Sequence, residues 1–163
     1  MRNFKKTLSF LLSTVIIVSS VAGVGTTVFA ATDEHTYKNF KYRILDDNTA
    51  EICGYTGKNA VVTVPDSIDS KPVTSIGRTA FYSGKIKEVT IPDTVKNIKW
   101  WAFYGCKSLE KINLNFGLKT VGYGAFMNCK NLKSVSIPMS VTQICDDSFA
   151  VSCSTKKGVF DTY

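Results

Sequence analysis

From Ile86 onward the apolar positions of this chain return on a fixed schedule. Ile86, Val89 and Ile91 are followed by Leu109, Ile112 and Leu114 and then by Leu132, Val135 and Ile137, each set 23 residues after the one before. Between them stand Glu88 and Thr90, Lys111 and Asn113, and Ser134 and Ser136, so apolar and polar positions alternate. Alternation with period two marks a short strand with one buried and one solvated side. A second apolar set, Val95, Ile98, Ala102 and Phe103, returns as Val121, Ala125 and Phe126 and ends at Phe149. Its spacings of three and four residues predict a helical turn. A unit this small cannot bury its own apolar side, so copies at one period stack and share a core. The pattern therefore predicts an α/β repeat solenoid with a short parallel sheet on one face. Pro65, Pro92 and Pro138 follow the strand positions, where proline ends pairing without removing a needed donor. Gly77 and Gly122, at the bend, are expected to adopt a positive φ.

Toward the N-terminus the schedule loosens. Val62, Val64, Val73, Ile76, Ala80 and Phe81 form an earlier copy interrupted by five extra residues around Asp69-Ser70-Lys71-Pro72, an insertion that projects as a loop and leaves the stack intact. Before it, Phe40, Tyr42 and Ile44 alternate with polar residues, Asp46-Asp47-Asn48 makes a turn, and Thr49 to Cys53 returns. That is a β-hairpin, and a stack with an exposed first coil calls for such a cap. The expected organisation is a leader over 1–30, a disordered polar lead-in over 31–36, a hairpin cap over 37–57, the solenoid over 58–153 and a tail over 154–163. At the far end Ser148 replaces the alanine and Asp146-Asp147 precede Phe149. Either Val159, Phe160 and Tyr163 fold back as a cap there, or that end docks on a partner.

Length and charge narrow the function classes. A chain of 163 residues suggests one domain. Residues 1–30 run from Arg2, Lys5 and Lys6 through an apolar core to Val28-Phe29-Ala30, the form of a secretory signal peptide. The apolar stretch also admits an uncleaved membrane anchor, and after cleavage nothing else is long enough to span a bilayer. Without the leader, 17 basic residues stand against 13 acidic ones. So small an excess, with no recognisable module, argues against nucleic acid. The repeat lysines either form a solvated flank or attract acidic polymers. Of five cysteines, Cys106 and Cys129 share one slot in successive copies, which admits a disulfide or a ladder of small buried residues. The single histidine, His35, has no nucleophile to activate and no metal-ligand spacing around it. Asp46-Asp47 and Asp146-Asp147 read as turns, and Gly122 and Gly124 belong to the repeat and not to a phosphate loop. No enzyme, cofactor or metal site emerges.

Binding is the remaining class, and two surfaces compete for it. One is the outer side of the repeated strand, Glu88, Thr90, Lys111, Asn113, Ser134 and Ser136. The other is aromatic: Trp100 and Trp101 with Tyr104 and Tyr123, at positions where the repeat does not demand aromatics. At least one tryptophan is expected to face solvent or a neighbour, and Trp101 is alternatively expected to pack over the next coil.

The phrase from Val89 to Cys106, Val-x-Ile-Pro-x-x-Val-x-x-Ile-x-x-x-Ala-Phe-x-x-Cys, and its echo from Ile112 to Cys129 resemble the BspA-type leucine-rich repeat of secreted and surface bacterial proteins. Phe40-Lys-Tyr-Arg-Ile44 through Gly57, and Lys71-Pro-Val-Thr-Ser-Ile-Gly77, resemble the opening hairpin and first coil of such proteins in gut Firmicutes. The resemblance covers about Tyr37 to Cys153 and brings no catalytic residues with it. It implies a secreted or surface-associated module that binds a host or bacterial surface protein or glycan. An assembly unit that dimerises through its C-terminal end is the alternative.

Overall fold

The computed structural model describes residues 33–133 and 135–152, together with the backbone of 160–161. The expected leader, Ser134, Cys153 and most of the tail lie outside the described residues. Among the described residues thirteen strands follow one another: β1 His35–Tyr37, β2 Phe40–Ile44, β3 Ala50–Tyr55, β4 Val61–Thr63, β5 Ser67–Ile68, β6 Lys71–Ile76, β7 Glu88–Thr90, β8 Asn97–Ile98, β9 Lys111–Asn113, β10 Thr120–Val121, β11 Val135–Ser136, β12 Gln143–Ile144 and β13 Phe160–Asp161. The repeated strands stack as the alternation requires. β4, β7 and β9 pair in parallel, Val62 beside Val89 beside Ile112, with these three turned into the core and Thr63, Thr90 and Asn113 beside one another on the outside. β11 and β13 pair in parallel, Val135 beside Phe160.

No described residue is helical, which corrects the α/β expectation. Ile98 and its counterparts belong to a second parallel sheet, in which β3, β6, β8, β10 and β12 lie side by side and Ile52, Ile76, Ile98, Val121 and Ile144 form one row. The segment after each of these strands turns without becoming a helix. The amides of Ala102, Tyr104 and Cys106 donate three residues back within their own coil. Those of Trp101, Phe103 and Gly105 donate instead to Tyr123, Ala125 and Met127 of the next coil. A helix directs every amide along its own axis, so these alternating partners exclude one. The backbone achieves the alternation with left-handed residues four apart, Thr79 and Ser83, Trp101 and Gly105, Gly124 and Asn128, Asp147 and Val151.

Gly77 and Gly122 are not among the residues with positive φ. What they supply is room. A Cβ on Gly122 would lie 2.8 Å from the Trp100 nitrogen, and one on Gly77 2.7 Å from the Ile52 oxygen. Lys99, in the same slot of the coil between them, carries the side chain that both neighbours forgo.

The N-terminal hairpin forms as the alternation predicts, β2 antiparallel to β3, with Asp47 accepting from the Thr49 amide in the turn. The lead-in differs from its expectation. His35, Thr36 and Tyr37 extend the hairpin by pairing antiparallel with Tyr42, Lys41 and Phe40, and the His35 ring packs on Tyr42 at 5.3 Å. The insertion is itself a hairpin of β5 and β6, turned by Asp69 and Ser70 at positive φ, as a type I′ turn requires. β6 continues into the second sheet, so the insertion leaves the stack unbroken.

A ladder of rings fills the core. Phe81, Phe103, Phe126 and Phe149 stack at successive centroid distances of 4.8, 5.2 and 5.1 Å, tilted by no more than 12°. Ala80, Ala102 and Ala125 lie beside them, fully or almost fully buried.

Candidate functional site

The turn that follows the second sheet carries most of the exposed aromatic surface. Aligning the copies on their phenylalanines puts Tyr82, Tyr104 and Met127 in one slot, immediately after Phe81, Phe103 and Phe126. The Tyr82 and Tyr104 rings stack at 5.3 Å and 8°. Trp101 meets Tyr123 edge to face at 6.3 Å. Together Tyr82, Trp101, Tyr104, Tyr123 and Met127 line an open groove of about 340 Å³. Of the four aromatic candidates the sequence offers, three meet in this groove, and Trp100 does not line it.

The aromatic side chains are held by identifiable neighbours. Trp101 adopts a φ of 57° and lies over Gly124 of the next coil, where a Cβ would sit 2.7 Å from its indole. That places it as the second of the two expectations had it. The Arg78 guanidinium covers its ring at 4.8 Å, a cation–π contact. Tyr104 Oη accepts from Asn128 at 3.1 Å, and Tyr123 Oη donates to Asp147 at 3.2 Å. That bond and the nearby carboxylate push the Tyr123 pKa above the ordinary phenol value. Trp100, beside Gly122, is 57% exposed. The groove is therefore lined by rings and a thioether, and two of its phenol hydroxyls bond to Asn128 and Asp147.

Tyr82 and Met127 are absent from the candidates that sequence reading supplies. Their signal is the slot itself, one place after each phenylalanine.

The outer side of the first sheet is a different surface. Glu88 pairs with Lys111 at 3.1 Å, and the Asn113 amide donates to Glu88 and Thr90, both at 3.3 Å. The hydrogen bond from Lys111 holds the Glu88 carboxyl below its usual pKa. Ser136 is exposed on β11. Four of the six sheet candidates thus bond to one another, while Lys111 stays 60% exposed.

The cysteines form a ladder. Cys106 Sγ donates to the Phe81 carbonyl at 2.9 Å and Cys129 Sγ to the Phe103 carbonyl at 3.1 Å, one coil apart. Ser152 takes the next place and donates to Phe126. The slot is thus filled by a small donor that binds the carbonyl of the coil before it. Among the described residues no three histidines, cysteines or carboxylates gather as a metal site would need. A buried carboxylate, Glu51, lies on the second sheet between Lys99 and Arg43, the latter at 2.6 Å. Both its partners are cations, as a buried charge requires.

Comparisons with known proteins agree with this geometry. Residues 61–161 match the model of the BspA type leucine rich repeat region in six copies. A leucine-rich repeat protein from Bacteroides capillosus ATCC 29799 has a similar structure, with a TM-score of 0.69 and 31% identity over 75% of this chain and 95% of that one. A leucine rich cell surface protein from Faecalibacterium prausnitzii A2-165 is 34% identical, with a TM-score of 0.65 over 72% of this chain but 34% of its own length. The leucine rich repeat protein of T. pallidum is 28% identical, with a TM-score of 0.60 over 73% of this chain and 67% of that one. No curated protein sequence matches.

Proposed function

The chain belongs to the BspA-type leucine-rich repeat family, and from that premise we propose that it is an exported, non-enzymatic module that binds a protein or glycan at a bacterial or host surface. The observation that carries this reading is the groove of Tyr82, Trp101, Tyr104, Tyr123 and Met127. A repeat needs no aromatic ring in these slots to complete its core, because the phenylalanine ladder already does so. Rings left at the surface on a rigid backbone lose little entropy when a partner covers them, which is why aromatics anchor interfaces. The β2–β3 hairpin serves as the cap of the first coil, with Phe40 on Tyr55 at 5.1 Å and Tyr55 on Phe81 at 5.6 Å continuing the core ladder into it. The leader-like residues 1–30 support secretion, and the similarity to a cell surface protein supports the same address.

The two tryptophans of the chain both lie at this turn, so selectively excited tryptophan fluorescence reports on it. Immobilised protein is expected to capture a component of host-matrix or bacterial-surface extracts, and the Trp100→Ala, Trp101→Ala variant to lose it while eluting at the same size. Undiminished capture by that variant overturns the reading. The second reading, assembly through the C-terminal end, draws on Ile144, which is 45% exposed where its row-mates Ile52, Ile76, Ile98 and Val121 are at most 1% exposed. A dimer that forms with rising concentration and is lost in Ile144→Lys favours it.

A further inference from the structure

The corner where each coil enters the first sheet collects positive charge. Lys87, Lys111 and Lys133 lie there with two carboxylates, Glu88 and Glu110, and Lys85, Lys107 and Lys130 stand in the segments that lead into the strands. The coils align them. The amides of Glu110 and Lys111 donate to the Lys87 carbonyl and that of Lys133 to the Glu110 carbonyl, so Lys87, Glu110 and Lys133 occupy successive rungs. Lys107 and Lys130 follow Cys106 and Cys129 and are likewise one rung apart, about 5 Å. Lys111 and Lys133 pair with Glu88 at 3.1 Å and Glu110 at 3.4 Å and remain 60% and 78% exposed. Lys85, Lys87, Lys107 and Lys130 are exposed and have no ion pair among the described residues. An open depression at this corner is lined by Val61, Lys87, Glu88, Glu110, Lys111 and Lys133.

We propose that this corner binds a linear sulfated glycan laid along the stack of coils. Ammonium groups repeating rung by rung match an extended polyanion, because each neutralised charge releases a condensed counterion. The two carboxylates choose between polyanions. Sugar hydroxyls donate to Glu88 and Glu110 while sulfates meet the lysines. A deoxyribose phosphodiester backbone has no hydroxyl to offer them. Nor do aromatic side chains line this depression to stack bases, as single-stranded nucleic acid needs. The surface is separate from the aromatic groove and stands without it.

The test is fluorescence anisotropy of an end-labelled heparin decasaccharide titrated with the full chain. Binding is expected, with log affinity falling linearly against log salt. A desulfated decasaccharide and a single-stranded thymidine oligonucleotide of equal length are expected to bind at least tenfold more weakly. Lys87→Gln with Lys107→Gln is expected to weaken heparin binding about tenfold. Lys96→Gln with Lys119→Gln, which removes the same charge at another corner, is expected to change it less than twofold. Equal loss in both double variants, or equal affinity for the oligonucleotide, overturns the proposal by reducing it to net charge. The Trp100→Ala, Trp101→Ala variant is expected to bind heparin as wild type does, so the fate of this proposal is independent of the aromatic reading.

Discussion

Gly122 and Gly105 look alike in the sequence and do opposite work. Gly105 has a φ of +70°, and the next coil fills its slot with Asn128 at 64°. The position therefore selects for left-handed backbone, which asparagine tolerates. Gly122 is constrained by space, with the Trp100 nitrogen 2.8 Å and the Lys99 carbonyl carbon 2.9 Å from where a Cβ would stand. Both obstacles are backbone and cannot rotate away. Gly105→Asn is accordingly expected to change the unfolding free energy by less than about 1 kcal/mol, and Gly122→Ala to lower it by about 1–3 kcal/mol, as read by urea denaturation. Equal losses would remove the distinction. Tyr42 offers a second test at this scale. Burial first, and then the bond it donates to Asp69, push its pKa from 10.0 up to about 12. The folded phenol stays neutral where an unfolded one ionises, so its stabilisation is intact below pH 10 and is lost as pH rises toward 12. Between those values the melting temperature should fall more steeply in wild type than in Tyr42→Phe, and parallel curves would exclude Tyr42 as the cause.

At the scale of the element, the strand was legible and the turn was not. Val89, Ile112 and Val135 alternate with polar neighbours, and alternation has one structural meaning. Spacings of three and four, as in Val95, Ile98 and Ala102, fit a helical turn equally with a two-residue strand followed by a bent segment. What separates them is the destination of each amide. The Phe103 amide goes to Ala125, 22 residues away, and no local spacing encodes that. The same limit hid the second sheet, whose strands are only two residues long in the repeats, Asn97–Ile98 and Thr120–Val121 among them. The aromatic groove was half visible for a related reason. Trp100 and Trp101 stand out by residue type, whereas Tyr82 contributes by slot, and its coil is one residue shorter between Phe81 and Ile86 than the next is between Phe103 and Leu109. Period identifies the slots once the copies are set in register; it does not say which side of a turn each slot faces.

In the whole molecule each coil touches only its neighbours, so stability accumulates along the stack and is least where a coil has one neighbour in place of two. Phe103 has rings on both sides, at 4.8 and 5.2 Å, and is fully buried, whereas Phe149 is partly buried. The amides that tie coil to coil report this directly. Those of Phe103 and Gly105 donate to the coil of Phe126, and those of Phe126 and Asn128 donate to Ser148 and Ala150 of the coil beyond. Native-state hydrogen exchange at low protein concentration should show the first pair protected at least tenfold more than the second, because opening from the end releases the last coil without the others. Equal protection would mean that the stack opens only as a unit. The same measurement decides between the two functional readings at this end. If Ile144 and its strand are the seat of a second copy, a dimer covers β12, and protection of the Phe126 and Asn128 amides rises with concentration while that of Phe103 stays level. If the chain works alone, its gradient of protection is independent of concentration, and the exposed Ile144 is simply the last described rung of the row.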